Sequence, residues 1–205
     1  KAISEKIKTD KQVTEYLDTL LIDSVIYNQI VNSNREDDSG YYLKSLFDDL
    51  KNDSAQSVLL NAQKFWKGNL KDINALTKIC LDVFFRGKTI GGKSPGEVGR
   101  CFATSANLIR SGKNLSEIKT ELKKIDISDP VFQKSIELDE FGTNVVKYLL
   151  KNIENKSKSK LNSKRVVNTT TLEHIMPQTI QNTDWDDKTS KSFVTTNDHR
   201  KYLDR

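Results

Sequence analysis

From Val13 to Ile153 apolar side chains recur every three or four residues, and that period constrains the fold more than any other feature of the chain. Val13, Tyr16, Leu17, Leu20, Leu21, Val25 and Ile26 open the pattern. Tyr42, Leu43, Leu46, Phe47 and Leu50 repeat it, as do Val58, Leu59, Ala62, Phe65 and Trp66. Ile73, Leu76, Cys80, Val83 and Phe84 follow, then Val98, Phe102, Ala106 and Ile109. Ile118, Leu122 and Ile125 come next, and Val145, Tyr148, Leu149 and Ile153 close the series. A helix of 3.6 residues per turn gathers such positions into one stripe, and each stripe is buried by packing on another. The sequence therefore predicts an α-helical bundle through residue 155. In this projection Trp66 is a core residue.

Helix ends are written in the intervening residues. Asn52–Ser54 and Asn114 are N-cap candidates, since their short polar side chains accept from free backbone N–H groups. Gly68 is placed to stop a helix. "SNREDDSG" (33–40) reads as a polar loop and Asp126–Phe132 as a turn around Pro130.

Composition removes several classes. The 205 residues can bury a core and hold one or two domains. With 36% hydrophobic and 30% charged residues the chain is polar but not of disordered type. A net charge of +5 and a pI near 9.0 suit an anionic partner such as nucleic acid, and equally a solvated basic surface. Two cysteines, Cys80 and Cys101, are too few for a disulfide framework or a four-cysteine zinc site. Both fall in apolar helical pattern, which predicts buried free thiols and fits a reducing cytoplasm. No apolar run reaches membrane-spanning length, no signal peptide opens the chain, and Lys1 stands where an initiator methionine would. The expectation is a cytoplasmic fragment, or the ordered part of a longer protein.

"GKTIGGKSPGEVG" (Gly87–Gly99) carries five of the nine glycines. It contains the string G-x-x-x-x-G-K-S of a phosphate-binding loop. That loop needs a strand before it, and here a helical pattern precedes it. A basic inter-helix loop is the expected form, with Lys88 and Lys93 able to meet a phosphate backbone.

The composition then changes. "KNIENKSKSKLNSKR" (Lys151–Arg165) has six Lys/Arg and one acid. It reads as an exposed basic linker over 156–165, a solubilising tether or a set of phosphate contacts. After it "RVVNTTTLEHI" turns to β-branched residues, so a strand is expected from Val166, with His174 at its end and Pro177 closing it. A neutral imidazole near pH 7 can take a proton from water, and the neighbouring Glu173 can bind a hard divalent cation. Adjacent strand residues point to opposite faces, so the two converge on one phosphate only where the strand bends. His199, in a polar stretch, is expected at the surface, and Trp185 in packing.

"TLEHIMPQT" (Thr171–Thr179) resembles the HNH signature in the C-terminal domain of GmrSD-type modification-dependent restriction endonucleases. The helix "VVKYLLKNIENK" (Val145–Lys156) is similar to that family's approach to the motif. The resemblance implies a helical domain at 1–155 followed, at 166–205, by the first portion of a ββα-metal (His-Me finger) unit. It implies His174 as general base and Glu173 as ligand of a single Mg²⁺ or Mn²⁺, with Pro177 and Gln178 shaping the turn. "HRKYLDR" (His199–Arg205) is similar to the family segment that leads into Leu-Gly-Asn-Leu-Thr, which places a further metal ligand after Arg205. The implied substrate is modified phage DNA. The implied regulator is an N-terminal nucleotide-hydrolysing domain outside these residues. The competing expectation is a non-catalytic helical module that binds DNA or a protein.

Overall fold

The computed structural model describes residues 8–32, 38–67 and 69–160. Its elements are α1 (Asp10–Val31), α2 (Asp38–Lys44), a π-turn (Ser45–Asp49), α3 (Ala55–Phe65) and α4 (Leu70–Val83). A π-helical segment (Phe84–Ile90) leads to α5 (Pro95–Arg110) and α6 (Leu115–Leu122), with a 3-10 turn at Lys123–Ile125. α7 (Asp129–Leu138) and α8 (Thr143–Lys160) complete the order. Among the described residues there is no strand, so the mainly helical expectation holds there. The strand from Val166 and the ββα-metal unit lie outside the described residues.

The chain divides into two compact units, Lys1–Asp129 and Pro130–Arg205. In the first, α3 and α5 form the central pair, α1 packs on α3, and α6 packs on α5 and α4. Val58, Leu59 and Ala62 of α3 are fully buried, as are Val98, Phe102 and Ile109 of α5. These are the 3–4 spaced positions of the sequence, and burying them is the main term holding the unit together.

Capping chemistry sets the helix ends. Asn114 Oδ1 accepts from the N–H groups of Ser116 and Glu117, at 3.0 and 3.2 Å, and the Glu117 carboxylate reaches back to the Asn114 N–H at 3.0 Å. Gly112, with φ 86°, ends α5, and the Lys113 N–H closes onto the Leu108 carbonyl at 3.1 Å.

Several local expectations are corrected. The stretch read as a loop over 33–40 is helical from Asp38, and Ser54 opens α3 without a side-chain cap bond. The expected stop at Gly68 lies outside the described residues. α1 forms, but its only buried side chain is Ile30, so most of the predicted apolar face is exposed. The glycine-rich stretch does not interrupt the helices at Gly87: a π-helix runs to Ile90, leaving a turn of only 91–94. Pro130 does not sit mid-turn; it lies in the first turn of α7, where no intrahelical N–H is needed. Trp66 is not core. α3 stops at Phe65, and Trp66 leaves helical geometry at φ −102°, ψ 40°, so projecting a helix through it misplaces the ring.

In the second unit, α8 buries Tyr148 and Lys151 while Leu150 and Ile153 are exposed. α8 continues to Lys160, so residues 156–160, read as linker, are helical.

Candidate functional site

Glu173, His174, Pro177, Gln178, Trp185 and His199 lie outside the described residues. Among the described residues no three His, Cys, Asp or Glu side chains are gathered to hold a metal ion. What is described is the ground leading to the motif, together with several rival sites.

The phosphate-loop string is one rival. Ser94, whose hydroxyl would meet a bound cation, instead caps α5. Its Oγ accepts from the Glu97 N–H at 3.2 Å and donates to Glu97 Oε2 at 2.9 Å. The same carboxylate oxygen accepts the Ser94 N–H at 3.0 Å. Lys93 pairs with Glu97 at 3.6 Å, and its N–H goes to the Gly87 carbonyl at 3.0 Å. The Ser94 N–H bond, then the Ser94 hydroxyl and Lys93, hold the Glu97 carboxyl below its usual range. A carboxylate therefore already fills the positive end of α5, where a nucleotide phosphate would have to sit.

The thiols are another. Cys80 and Cys101 are free and buried, as the sequence predicts. Burial raises the Cys80 thiol well above its ordinary value, with Cys101 adding to the effect. Burial and then Glu121 push Cys101 up to about 11. Neither forms thiolate near neutrality, so both are packing residues rather than nucleophiles.

Two features escaped the sequence reading. A surface cavity of about 900 Å³ is lined by Ile22, Phe65, Trp66 and Lys113 among others, and the Trp66 Nε1–H donates to the Lys113 carbonyl at 3.3 Å. The signal was available: two aromatics ending a helix just before Gly68 need not both point inward. The second feature is a clamp. Arg86 Nε donates to Asp126 Oδ1 at 2.7 Å, and its Nη2 donates to the Ile127 carbonyl at 2.6 Å and to Asp129 Oδ1 at 2.8 Å. A planar guanidinium with several fixed donors suits this grip. It holds the last residues of the first unit, and Gly87 makes room by lying directly against Ile125. A Cβ at Gly87 would stand 1.9 Å from the Ile125 carbonyl oxygen.

The basic run is partly accounted for. Lys151, its first member, is buried, whereas Lys156 is exposed. No helix among the described residues is long and apolar enough to cross a membrane.

Residues 126–205 match the family described as GmrSD restriction endonucleases, C-terminal domain. The resemblance carried by Thr171–Thr179 thus holds over that stretch, which starts at Asp126, the residue Arg86 grips, and takes in α7 and α8. No curated protein and no solved structure matches the chain.

Proposed function

We propose that the chain carries the cutting portion of a metal-dependent DNA endonuclease of the modification-dependent restriction type, acting in phage defence. The observation that supports it is the family match over 126–205, with Leu-Glu-His-Ile-Met-Pro-Gln inside it at Leu172–Gln178. In this reading 1–155 is a helical domain, 156–165 joins it to the rest, and 166–205 begins an HNH unit. The donors fit a hard divalent ion in kind, since Glu173 offers carboxylate oxygens. One carboxylate holds such an ion weakly, so the reading requires a further ligand, which the family pattern puts after Arg205. Mg²⁺ or Mn²⁺, when bound, supplies positive charge opposite the charge developing on the leaving oxygen. His174, neutral near pH 7, accepts the proton of the attacking water. Modified phage DNA is the assigned substrate, and a nucleotide-hydrolysing domain outside these residues is the assigned reader of the modification. The setting is the cytoplasm.

The test is plasmid nicking by the complete protein with Mg²⁺ or Mn²⁺, beside His174→Ala. Loss of a general base costs roughly 10²–10⁴-fold in rate. The expected result is a loss of that order with DNA binding retained. Undiminished cutting by the variant removes His174 from this role. DNA binding with cleavage by neither protein favours the non-catalytic module.

A further inference from the structure

α1 presents two faces of different fate. One packs on α3: Ile30 is buried, Asp23 pairs with Lys64 at 2.7 Å, and the Tyr27 hydroxyl donates to Gln56 Oε1 at 3.4 Å. At 100° per residue, Val13, Leu17, Leu20 and Ser24 form a second line with 4-3-4 spacing, Leu21 flanks it, and Tyr27 stands at its border with the α3 face. The large apolar members of this set are 43–66% exposed, and nothing among the described residues covers them. Such spacing is a coiled-coil seam, and an apolar strip this long is unusual on a surface that meets only water.

We propose that this line is a pairing surface for a second copy of the chain. Three observations choose that occupant. First, Lys11, Glu15 and Asp18 project well away from the seam, so two copies meet without opposing like charges. Second, an antiparallel arrangement is self-complementary. It sets Val13 against Val31, Leu17 against Tyr27 and small Ser24 against Leu20, while Asp10 falls beyond the overlap. A parallel pair would set Asp10 against its own copy. Third, the area suits a weak pair. Large apolar side chains bring roughly 60–120 Å² each to burial. The seam therefore hides at most on the order of 1,000 Å² over two copies, the size of a weak, transient interface. A membrane surface fits poorly, because α1 carries four acids (Asp10, Glu15, Asp18, Asp23) against one lysine. The inference does not depend on nuclease activity.

Sedimentation velocity on the full chain between about 1 and 200 µM tests it, since a small interface predicts a micromolar dissociation constant. The mass is expected to climb from 23.3 kDa toward twice that value. The double variant Leu17→Glu, Leu20→Glu weakens association at least tenfold with an unchanged melting curve. Leu138→Glu, at a still more exposed position on α7, leaves association intact. Should the double variant melt early, Leu21→Glu alone, at the most exposed of these positions, must still weaken pairing. A mass that stays at 23.3 kDa throughout, or association untouched by the seam variants, overturns the proposal.

Discussion

Two glycines ten or so residues apart show how little a residue's identity says without its neighbours. Gly87 has a backbone carbonyl where its Cβ would go, while Gly99, in mid α5, has nothing within 4 Å. Gly87→Ala is expected to destabilise by about 1–3 kcal/mol through overpacking. Gly99→Ala is expected to stabilise by about 0.5–1 kcal/mol through helix propensity. Urea unfolding of both variants reads the opposite signs. The thiols give a pH prediction. Both have folded pKa values raised above the unfolded ones, so their protonated forms favour the native state. That stability is present below about pH 9, the midpoint of an unfolded thiol, and falls as pH rises toward about 11, the folded value of Cys101. Cys101→Ala makes this alkaline limb shallower between about pH 9 and 11 while Cys80 keeps its share, measured as melting temperature against pH. Of the proposed site, Glu173 and His174 were legible only as a word: residue chemistry supplied a base and an oxygen donor, and resemblance supplied their purpose.

At the scale of elements, stripes and the Asn114 cap were legible because both are local, whereas Asn52–Ser54 precede α3 with no side-chain cap bond from Ser54. Val98, Phe102 and Ile109 announced the buried face of α5, and Asn114 announced the start of α6. Ser94→Ala removes the hydroxyl that accepts the Glu97 N–H and is expected to cost about 1 kcal/mol, measured by thermal unfolding. The π-helix was not legible. Its partners are distant in sequence: within it Gly87 lies against Ile125 and Arg86 grips Asp126, contacts that no local pattern announces. The exposure of α1 was illegible for the opposite reason. Periodicity reports that a face is apolar but not what covers it.

At the scale of the molecule, burial among the described residues is uneven. Of the buried apolar side chains described, those from Ile30 to Ile125 belong to the first unit and Tyr148 to the second. A chain ending at Asp129 is therefore expected to unfold cooperatively, with a melting temperature within a few degrees of the parent's first transition. Calorimetry of both chains checks this, and a truncated chain without a transition refutes the division. The family match starts within four residues of the division, so the match begins at the edge of the core rather than inside it. Glu97 has a consequence beyond this protein. The glycine-lysine-serine string at Gly87–Ser94 has the letters of an ATPase, yet its own acid three positions downstream closes the anion seat. Motif scanning that also asked whether a Ser-x-x-Glu cap follows the lysine would discard such false positives before any nucleotide was pipetted.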